Sequence, residues 1–514
     1  MTLELRVIIR HLGMLLLVLS GVLAAVATFA LGSDVLRGLP DHSHAQALLY
    51  SAACGLLLAC LLIATGRSSS QQIGQREALL LVGLAWLGGA AVSALPYRFW
   101  AGLRPDAAET PHPFDSFLDC FFEAMSGLTT TGATILESIG TVPDSLLLWR
   151  ALTQWLGGLG IVVLFVAVLP MLGVGGRRIY RLEAPGPTHE GVKPRIRDTA
   201  RTLWLMYVGL TVAEIIALKT CGMSWFDSLC HTFTTLATGG FSTFDASIAG
   251  FDQTSIHVVI IVFMFLAGVN FGIYYRILQG RWRGVGKDPE LRLYIGILLA
   301  ATVIVTSSLL SNPPEAYVAA DGTRAPLGII IRDALFQVVS VQTTTGFATA
   351  DFDTWGFSAK ATLMLLMFVG ASAGSTGGGM KVSRILIVFK VILTELEHVY
   401  RPHVVRTTKM GRTTIHPDVK LNTLVFVVLI AVTFGVGTAA LMAFETDLDI
   451  TTAATASVAT LNNIGPGLAR VGATQNYAWF SPESKLVMTS LMVLGRLEVF
   501  AILALFMPRF WREE

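Results

Sequence analysis

The chain has 514 residues, of which 53% are hydrophobic and 14% are charged. Soluble globular proteins carry charge on about a quarter of their residues, so this composition excludes that class and indicates a polytopic membrane protein. The net charge of +2 says little by itself, and no nucleic-acid partner is expected. The five cysteines lack CxxC spacing and are interpreted as small buried hydrophobic residues.

Apolar segments long enough to cross ~30 Å of hydrocarbon recur along the whole chain. The first follows Arg6 and Arg10, as a signal peptide would, but its apolar run is longer than the usual ~7–15 residues. We therefore interpret it as a helix. Ten spans are predicted, at residues 11–31, 46–65, 78–96, 150–172, 202–219, 256–278, 292–310, 360–394, 420–443 and 485–507.

Lysine and arginine collect between these spans in the stretches 177–201, 276–292 and 381–420, and near both ends of the chain. By the positive-inside rule, these stretches and both termini lie in the cytoplasm. Carboxylates on the opposite side would attract a cation, although any single one is equally well explained as a solvated loop residue. These carboxylates are Glu137, Asp144, Asp245, Asp252, Asp351, Asp353, Asp447 and Asp449.

A short polar motif with a glycine occurs four times in the outer loops. The copies are TTTGAT at 129–134, ATGGFS at 237–242, TTTGFA at 343–348 and NNIGPG at 462–467. The glycines of the first three lie nine residues after Glu123, His231 and Gln337, and Ala456 holds that place before the fourth. Four copies in one register indicate a repeated structural unit.

Each motif follows a short, partly apolar segment that is too short to cross the bilayer, which predicts a half-length helix ending midway. Unpaired carbonyls and the negative pole of the dipole at its carboxyl end would face a cation. The chain that returns outward would line a water-filled path, and glycine permits the positive φ that aims carbonyls at it. One such motif alone favours an ordinary turn, but four copies predict a carbonyl-lined ion filter.

These repeats and motifs resemble the TrkH-type potassium uptake proteins of bacteria, in the Trk/Ktr/HKT superfamily. The resemblance covers nearly the whole chain and includes QWLGGLGI at 154–161, RIRDTARTLW at 195–204, GVNFGIYY at 268–275, GASAGSTGGGMK at 370–381 and GRLEVF at 495–500. It implies pseudo-fourfold symmetry within one chain, a homodimer in the membrane, and a cytosolic TrkA-like ring that binds ATP, ADP or an NAD-type nucleotide. Composition and spacing show neither the dimer nor the ring.

The resemblance also implies which residues meet the ion. In that family a glycine in every filter accompanies potassium selectivity, whereas a serine in the first filter accompanies sodium transport in some plant relatives. Potassium is therefore the expected ion, with the metal site formed by Thr130, Thr131, Gly132, Thr238, Gly239, Gly240, Thr344, Thr345, Gly346, Asn463, Ile464 and Gly465. Each motif has one aligned glycine where TVGYG filters have two, so looser selectivity is expected.

The apolar residues 361–369 lead into GASAGSTGGG at 370–379, which is too rich in glycine to form a stable helix. Small residues also permit close helix packing, but three consecutive glycines favour a flexible loop. Since this segment follows the third motif and leads inward, we expect a movable gate beneath the filter, as in the family. The predicted gate residues are Gly370, Gly374, Gly377, Gly378, Gly379, Lys381 and Arg496.

Arg496 lies in an apolar stretch, where an arginine costs ~2.5–3.5 kcal/mol unless it faces water or a partner. Glu498 is two positions away and lies on another helix face. One placement is a buried ion pair with Glu123 or Glu214. We prefer a placement below the fourth filter beside the glycine-rich segment, where a fixed positive charge opposes cation passage.

Two other functions need consideration. The stretch 374–381 has P-loop glycine spacing at Gly374 and Gly379. However, one residue separates Gly379 from Lys381 and no Ser or Thr directly follows the lysine, so no enzyme is predicted. A potassium symporter coupled to protons or sodium would need an ionisable relay near the midplane. Only Arg496 is clearly so placed, and it does not release protons near neutral pH, so channel-like flux is favoured.

The predicted fold is an all-α polytopic membrane protein with four pseudo-symmetric helix–pore loop–helix repeats around one pore, after two extra transmembrane helices. Its predicted divisions are 1–70, 71–185, 186–285, 286–400 and 401–514. The expected location is the bacterial inner membrane, with many crossings and both termini cytoplasmic. The basic cytoplasmic loops are expected to serve topology and anionic lipid before partner contact.

Overall fold

The structure, a computed structural model, describes residues 3–37, 41–67, 74–105, 107, 110–160, 196–319, 321–404, 407–411 and 413–512. The second half of the predicted span 150–172 and the basic residues between 177 and 195 lie outside this set. In the described part the only strands are Lys409–Met410 and Thr413–Thr414, which pair as an antiparallel hairpin. The rest of the regular structure is helical, as predicted.

Two long helices precede the repeats, Leu5–Arg37 and Ser43–Thr65. The prediction of a helix for the first span is confirmed. The two helices cross closely because small residues meet, since a β-carbon placed on Gly55 would lie 2.3 Å from the Ser20 hydroxyl oxygen. Both then pack against the first helix of repeat 1.

Each repeat consists of an outer helix, a short helix, an extended loop and an inner helix. The outer helices are Gln75–Leu103, Ile196–Thr220, Pro289–Ser311 and Pro417–Phe444. Short helices 1 to 4 are Phe117–Leu128, Trp225–Leu236, Leu327–Gln342 and Ile450–Leu461. The inner helices are Asp144–Trp155 with a π-helical turn Leu156–Gly160, Thr254–Ala267 with Phe271–Leu278, Phe357–Met367 with Val382–Tyr400, and Pro482–Arg496 with Phe500–Leu505. A last helix is Pro508–Trp511.

Six of the described helices are long and apolar enough to cross a membrane, or seven if one bent pair forms a single span. The six correspond to the two N-terminal helices and the four outer helices. The bent pair lies in the predicted span 256–278 and turns by 92°, which was not predicted. The predicted interruption at 370–379 is present, and a further break at 497–499 was also missed.

The break at 497–499 was missed because it uses residues that seldom adopt its backbone. Glu498 has φ 58° and Val499 has φ 41°. A positive φ at a β-branched residue is a genuine outlier, so no local sequence rule predicts a helix break here.

Capping side chains set the starts of three short helices. Ser116, Ser224 and Asp449 each accept a hydrogen bond from the backbone N–H three residues later, over 3.4, 3.0 and 2.9 Å. Desolvation opposes the charged form of Asp449, but hydrogen bonds from Thr452 and the neighbouring backbone N–H groups together lower the pKa of this carboxyl. Short helix 3 begins after Pro326 without a side-chain cap.

Buried apolar side chains form two large clusters. One joins the N-terminal helices and repeat 1 with much of repeat 4, and the other joins repeats 2 and 3 with a smaller part of repeat 4. The loops that follow the short helices lie at the centre, where residues 129–131, 343–345 and 462–464 have no exposed surface. The first three residues of these motifs are therefore fully enclosed, whereas the glycines Gly132, Gly240 and Gly346 are partly exposed.

Candidate ion filter and gate

The four motifs form extended loops, called candidate filter loops 1 to 4, at residues 129–134, 237–242, 343–348 and 462–467. Their backbone conformation repeats. Two residues before each glycine, φ is 55° at Thr130, 55° at Thr238, 60° at Thr344 and 55° at Asn463. The glycines Gly132, Gly240, Gly346 and Gly465 have φ of 84°, 76°, 81° and 95°. The positive φ predicted for the glycines is confirmed, whereas the left-handed threonines were not predicted.

One backbone hydrogen bond ends all four short helices. The N–H before each glycine donates over 2.8 Å to the carbonyl five residues earlier, from Thr131 to Ser126, Gly239 to Thr234, Thr345 to Ser340 and Ile464 to Ala459. Together with the left-handed residue, this bond defines a Schellman ending. The prediction that the carbonyls at these helix ends are unpaired is therefore wrong for this carbonyl in each repeat.

The four loops pack head to tail in a closed ring. A β-carbon placed on each glycine would overlap a carbonyl oxygen of the next loop, at 2.2 Å for Gly132 and Gly239, 2.0 Å for Gly240 and Thr345, 2.0 Å for Gly346 and Ile464, and 2.7 Å for Gly465 and Thr131. Each glycine thus faces the equivalent carbonyl of its neighbour, and the fourth loop returns to the first. Close approach is a second reason for glycine here, in addition to its φ.

Glu123 of short helix 1 braces the outward leg of candidate filter loop 1. Its carboxylate accepts hydrogen bonds from the Ile135 N–H at 2.9 Å and the Thr134 hydroxyl at 3.0 Å. Arg150 of inner helix 1 donates to the same carboxylate at 2.6 Å and to the Ser242 carbonyl at 3.1 Å. This buried pair therefore links the outer parts of loops 1 and 2.

Candidate filter loop 2 is held from two sides. His231 of short helix 2 lies 3.0 Å from the Ser242 hydroxyl. Gln154 of inner helix 1 donates to the Gly239 carbonyl at 2.7 Å and accepts from the Phe241 N–H at 3.1 Å. A side chain of repeat 1 thus fixes the glycine-bearing part of repeat 2.

Loops 3 and 4 use other anchors in place of the matched polar position. The Ser340 hydroxyl donates to the Phe347 carbonyl at 2.7 Å, while Gln337 at the predicted register position has no hydrogen-bond partner among the described residues. In repeat 4, the Leu468 N–H donates to the Thr455 hydroxyl at 3.0 Å. The nine-residue register therefore braces loops 1 and 2 only.

The glycine-rich segment 370–381 lies directly beneath the loops. The Gly378 N–H donates to the Thr344 hydroxyl at 2.7 Å, and the Lys381 ammonium donates to the carbonyl of Gly377. Glu290 of outer helix 3 accepts hydrogen bonds from the N–H groups of Ala373 and Ser383, at 2.7 and 3.1 Å. One carboxylate therefore holds both the segment and the start of the helix that follows it.

Arg496 ends its helix beside this segment. Its guanidinium donates to the carbonyls of Gly157 at 2.6 Å, Gly158 at 2.7 Å and Thr376 at 3.1 Å. Among the described residues Glu123 pairs with Arg150 and not with Arg496. Glu498 instead pairs with Arg384 at 2.6 Å.

A cavity of about 70 Å³ lies where these parts meet. Its lining includes Leu461 and Asn462 from the end of short helix 4, residues 375–379 and Lys381 of the segment, and Arg496. The predicted gate residues in this lining are therefore adjacent to one another and to a candidate filter loop.

Some residues of the site were missed from the sequence. These residues include Gln154, Arg150 and Glu290. Each is a polar residue within or beside a predicted span, and this position could have indicated a role in the site. Glu214, within the predicted span 202–219, was not considered as a relay, and it is fully buried in outer helix 2. Within the described residues Glu214 forms no salt bridge.

Comparison with known proteins gives one consistent result. Residues 102–513 match the family TrkH, described as a cation transport protein. The chain is 39% identical to the Trk system potassium uptake protein TrkH of Salmonella typhimurium over 99% of both chains. It is 32% identical to TrkG of Escherichia coli K12, covering 87% of this chain and 88% of that protein. A crystal structure of the potassium transporter TrkH from Vibrio parahaemolyticus matches with a TM-score of 0.83 and 34% identity, over 99% of this chain and 100% of that one.

Proposed function

Because the chain belongs to the TrkH family of cation transport proteins, we propose that it takes up potassium across the bacterial inner membrane by channel-like permeation. The ion passes through candidate filter loops 1 to 4. Segment 370–381 and Arg496 form the gate beneath them. A cytosolic nucleotide-binding ring of the TrkA type controls this gate, and the transporter acts as a homodimer.

The closed ring of glycines and carbonyls supports this proposal most strongly. Four equivalent carbonyls, those of Thr131, Gly239, Thr345 and Ile464, form one closed cycle with the same local backbone. Rings of backbone carbonyls replace the hydration shell of a potassium ion. A dehydrated cation then needs no carboxylate ligand, and the backbone around it is held by hydrogen bonds that repeat in all four loops.

Gly132→Ser tests the filter. The purified protein in liposomes should show a reversal potential in mixed potassium and sodium that favours potassium, and the variant should shift it toward sodium. Gly322→Ser is the matched control, because Gly322 has φ 82° against 84° at Gly132 and no neighbour within 4 Å. Equal ion discrimination by the parent and Gly132→Ser would overturn the filter assignment.

The alternative is a symporter that couples potassium to protons or sodium. The observation that favours it is the buried carboxyl of Glu214, since ionisable residues within the membrane mark relays in coupled transporters. Liposomes with a potassium gradient, no sodium and the same clamped pH on both sides separate the two mechanisms. Channel-like flux predicts a current there that reverses at the potassium equilibrium potential. An obligate sodium symporter carries no current without sodium, and a proton symporter reverses at a smaller potential because the protons contribute no gradient.

The cytosolic ring is tested by purification. The intact transporter should co-purify with a ring-forming nucleotide-binding protein, and ATP or a dinucleotide should change potassium flux only when that protein is present. Cross-linking in native membranes tests the homodimer. Nucleotide-dependent flux from the transporter alone would contradict control by a separate subunit.

A further inference from the structure

The fourth candidate filter loop departs from the others at one side chain. Thr130, Thr238, Thr344 and Asn463 occupy equivalent positions with φ between 55° and 60°. The Thr238 hydroxyl donates to the carbonyl of the preceding residue, Ala237. The Thr344 hydroxyl accepts from the Gly378 N–H of segment 370–381. Among these four, only Asn463 reaches a neighbouring loop in the described structure.

The amide of Asn463 makes two buried hydrogen bonds that join separate parts of the chain. It donates to the Thr131 hydroxyl at 2.9 Å and to the Met492 carbonyl of inner helix 4 at 3.0 Å. Asn463 and Thr131 have no exposed surface, so water does not compete for these bonds. The residue thus ties candidate filter loop 1 to the last inner helix.

This tie lies at the widest junction of the ring. A β-carbon placed on Gly465 would lie 2.7 Å from the Thr131 carbonyl oxygen, whereas the corresponding distances at the other three junctions are 2.0–2.2 Å. Loops 1 and 4 come from opposite ends of the sequence, so no short connection holds them together. Asparagine suits the position because it tolerates the left-handed conformation better than threonine does.

We propose that Asn463 is a specificity-determining residue, which sets the spacing between loops 4 and 1 through its hydrogen bond to Thr131. This inference rests on the proposed function of the loops as a potassium filter. The Thr131 side chain belongs to the residue whose carbonyl faces Gly465. Loss of the hydrogen bond between Asn463 and Thr131 therefore changes the carbonyl spacing at this junction. Discrimination between potassium and the smaller sodium ion depends on that spacing.

Thr131 and Thr345 form a matched pair for the test. Both precede the filter glycine, and both hydroxyls contact the hydroxyl two residues earlier, at 2.7 Å in loop 1 and 2.8 Å in loop 3. Only Thr131 also receives the Asn463 amide. Valine at either position removes the hydroxyl with little change in shape.

The experiment measures the potassium-to-sodium permeability ratio from reversal potentials of the full chain in liposomes. Thr131→Val and Asn463→Thr should each lower the ratio by about 2- to 10-fold, the effect of losing one net hydrogen bond. The double variant should lose less than the two single losses combined, because both single variants remove the same Asn463–Thr131 bond. Thr345→Val should lower the ratio by less than Thr131→Val does, because it removes only the hydroxyl contact within its own loop.

An equal loss in Thr345→Val, or an unchanged ratio in Thr131→Val, would overturn the role of Asn463. If Asn463→Thr fails to fold, the comparison of the two valine variants still decides the question. Gly132→Ser is measured in parallel. If the permeability ratio shifts toward sodium in Gly132→Ser but is unchanged in Thr131→Val, the filter assignment stands and only this inference is refuted. If the ratio does not shift in Gly132→Ser, the filter assignment itself is refuted.

Discussion

The ring of candidate filter loops and the layer beneath it are built in different ways. The ring repeats one backbone conformation and one helix-ending hydrogen bond four times. The layer beneath occurs once and depends on three charged side chains from two repeats, Glu290, Lys381 and Arg496. The first region shares one backbone geometry in all four repeats, whereas the second depends on side-chain hydrogen bonds that occur once.

This difference separates two properties of the proposed transporter. Changes in the ring should alter which ion passes, or whether any ion passes, because no added side-chain atom fits between each filter glycine and the neighbouring carbonyl. Changes in the lower layer should alter how much ion passes and leave selectivity as it is. The predictions below test that division.

The largest effect is expected for Gly240→Ala, which should abolish potassium flux. The new β-carbon would lie 2.0 Å from the Thr345 carbonyl oxygen at φ 76°, so the ring must open or the loop must move. Gly280→Ala is the matched control, because φ is 75° there and nothing lies within 4 Å. Liposome flux per inserted molecule measures both, and equal flux in the two variants would contradict the close packing of the ring.

Deleting residues 372–378 is expected to have the next largest effect. The deletion removes the Gly378 N–H bond to Thr344 and leaves Lys381 without its loop carbonyls. Potassium flux without the cytosolic partner should rise roughly tenfold or more, since each 1.4 kcal/mol lost from the closed state is a tenfold change. Unchanged or lower flux in a folded deletion, with the permeability ratio intact, would show that the segment is not a gate.

Arg496→Ala should raise partner-independent flux by about tenfold. A hydrogen bond from a charged donor contributes ~1.5–3 kcal/mol, and Arg496 makes three to carbonyls around the cavity. Arg496→Lys keeps the charge but not the forked geometry and should lie between the variant and the parent. Reduced flux in correctly inserted Arg496→Ala protein would refute a barrier role.

Glu290→Gln should have the smallest effect, a rise in flux of about threefold. Glutamine keeps an acceptor for the N–H groups of Ala373 and Ser383 but loses the charge that strengthens both bonds. Glu315→Gln, at an exposed carboxylate, is the control. Flux in Glu290→Gln that matches this control would show that the carboxylate charge does not hold the segment.

Much of the local structure was predictable. The short helices, the positive φ of the four glycines and the interruption at 370–379 follow from apolar length, capping residues and glycine content. The positions of the filter and gate residues as ion contacts stay predictions. The bend at 268–270 and the break at 497–499 were missed, because neither is preceded by proline or a run of glycines.

The sequence by itself determined the four short helices and the interruption at 370–379, because these depend on residues within one or two turns of each other. Only the tertiary structure decided which loop meets which. Asn463 meets Thr131 across 332 residues, and Arg496 reaches Gly157 across 339. Such contacts depend on how the four repeats pack together. At their junctions the loops are so close that a β-carbon on a filter glycine would overlap a carbonyl oxygen of the next loop. No local sequence pattern predicts which of these distant residues meet, because the residues next to each partner in sequence do not indicate the other.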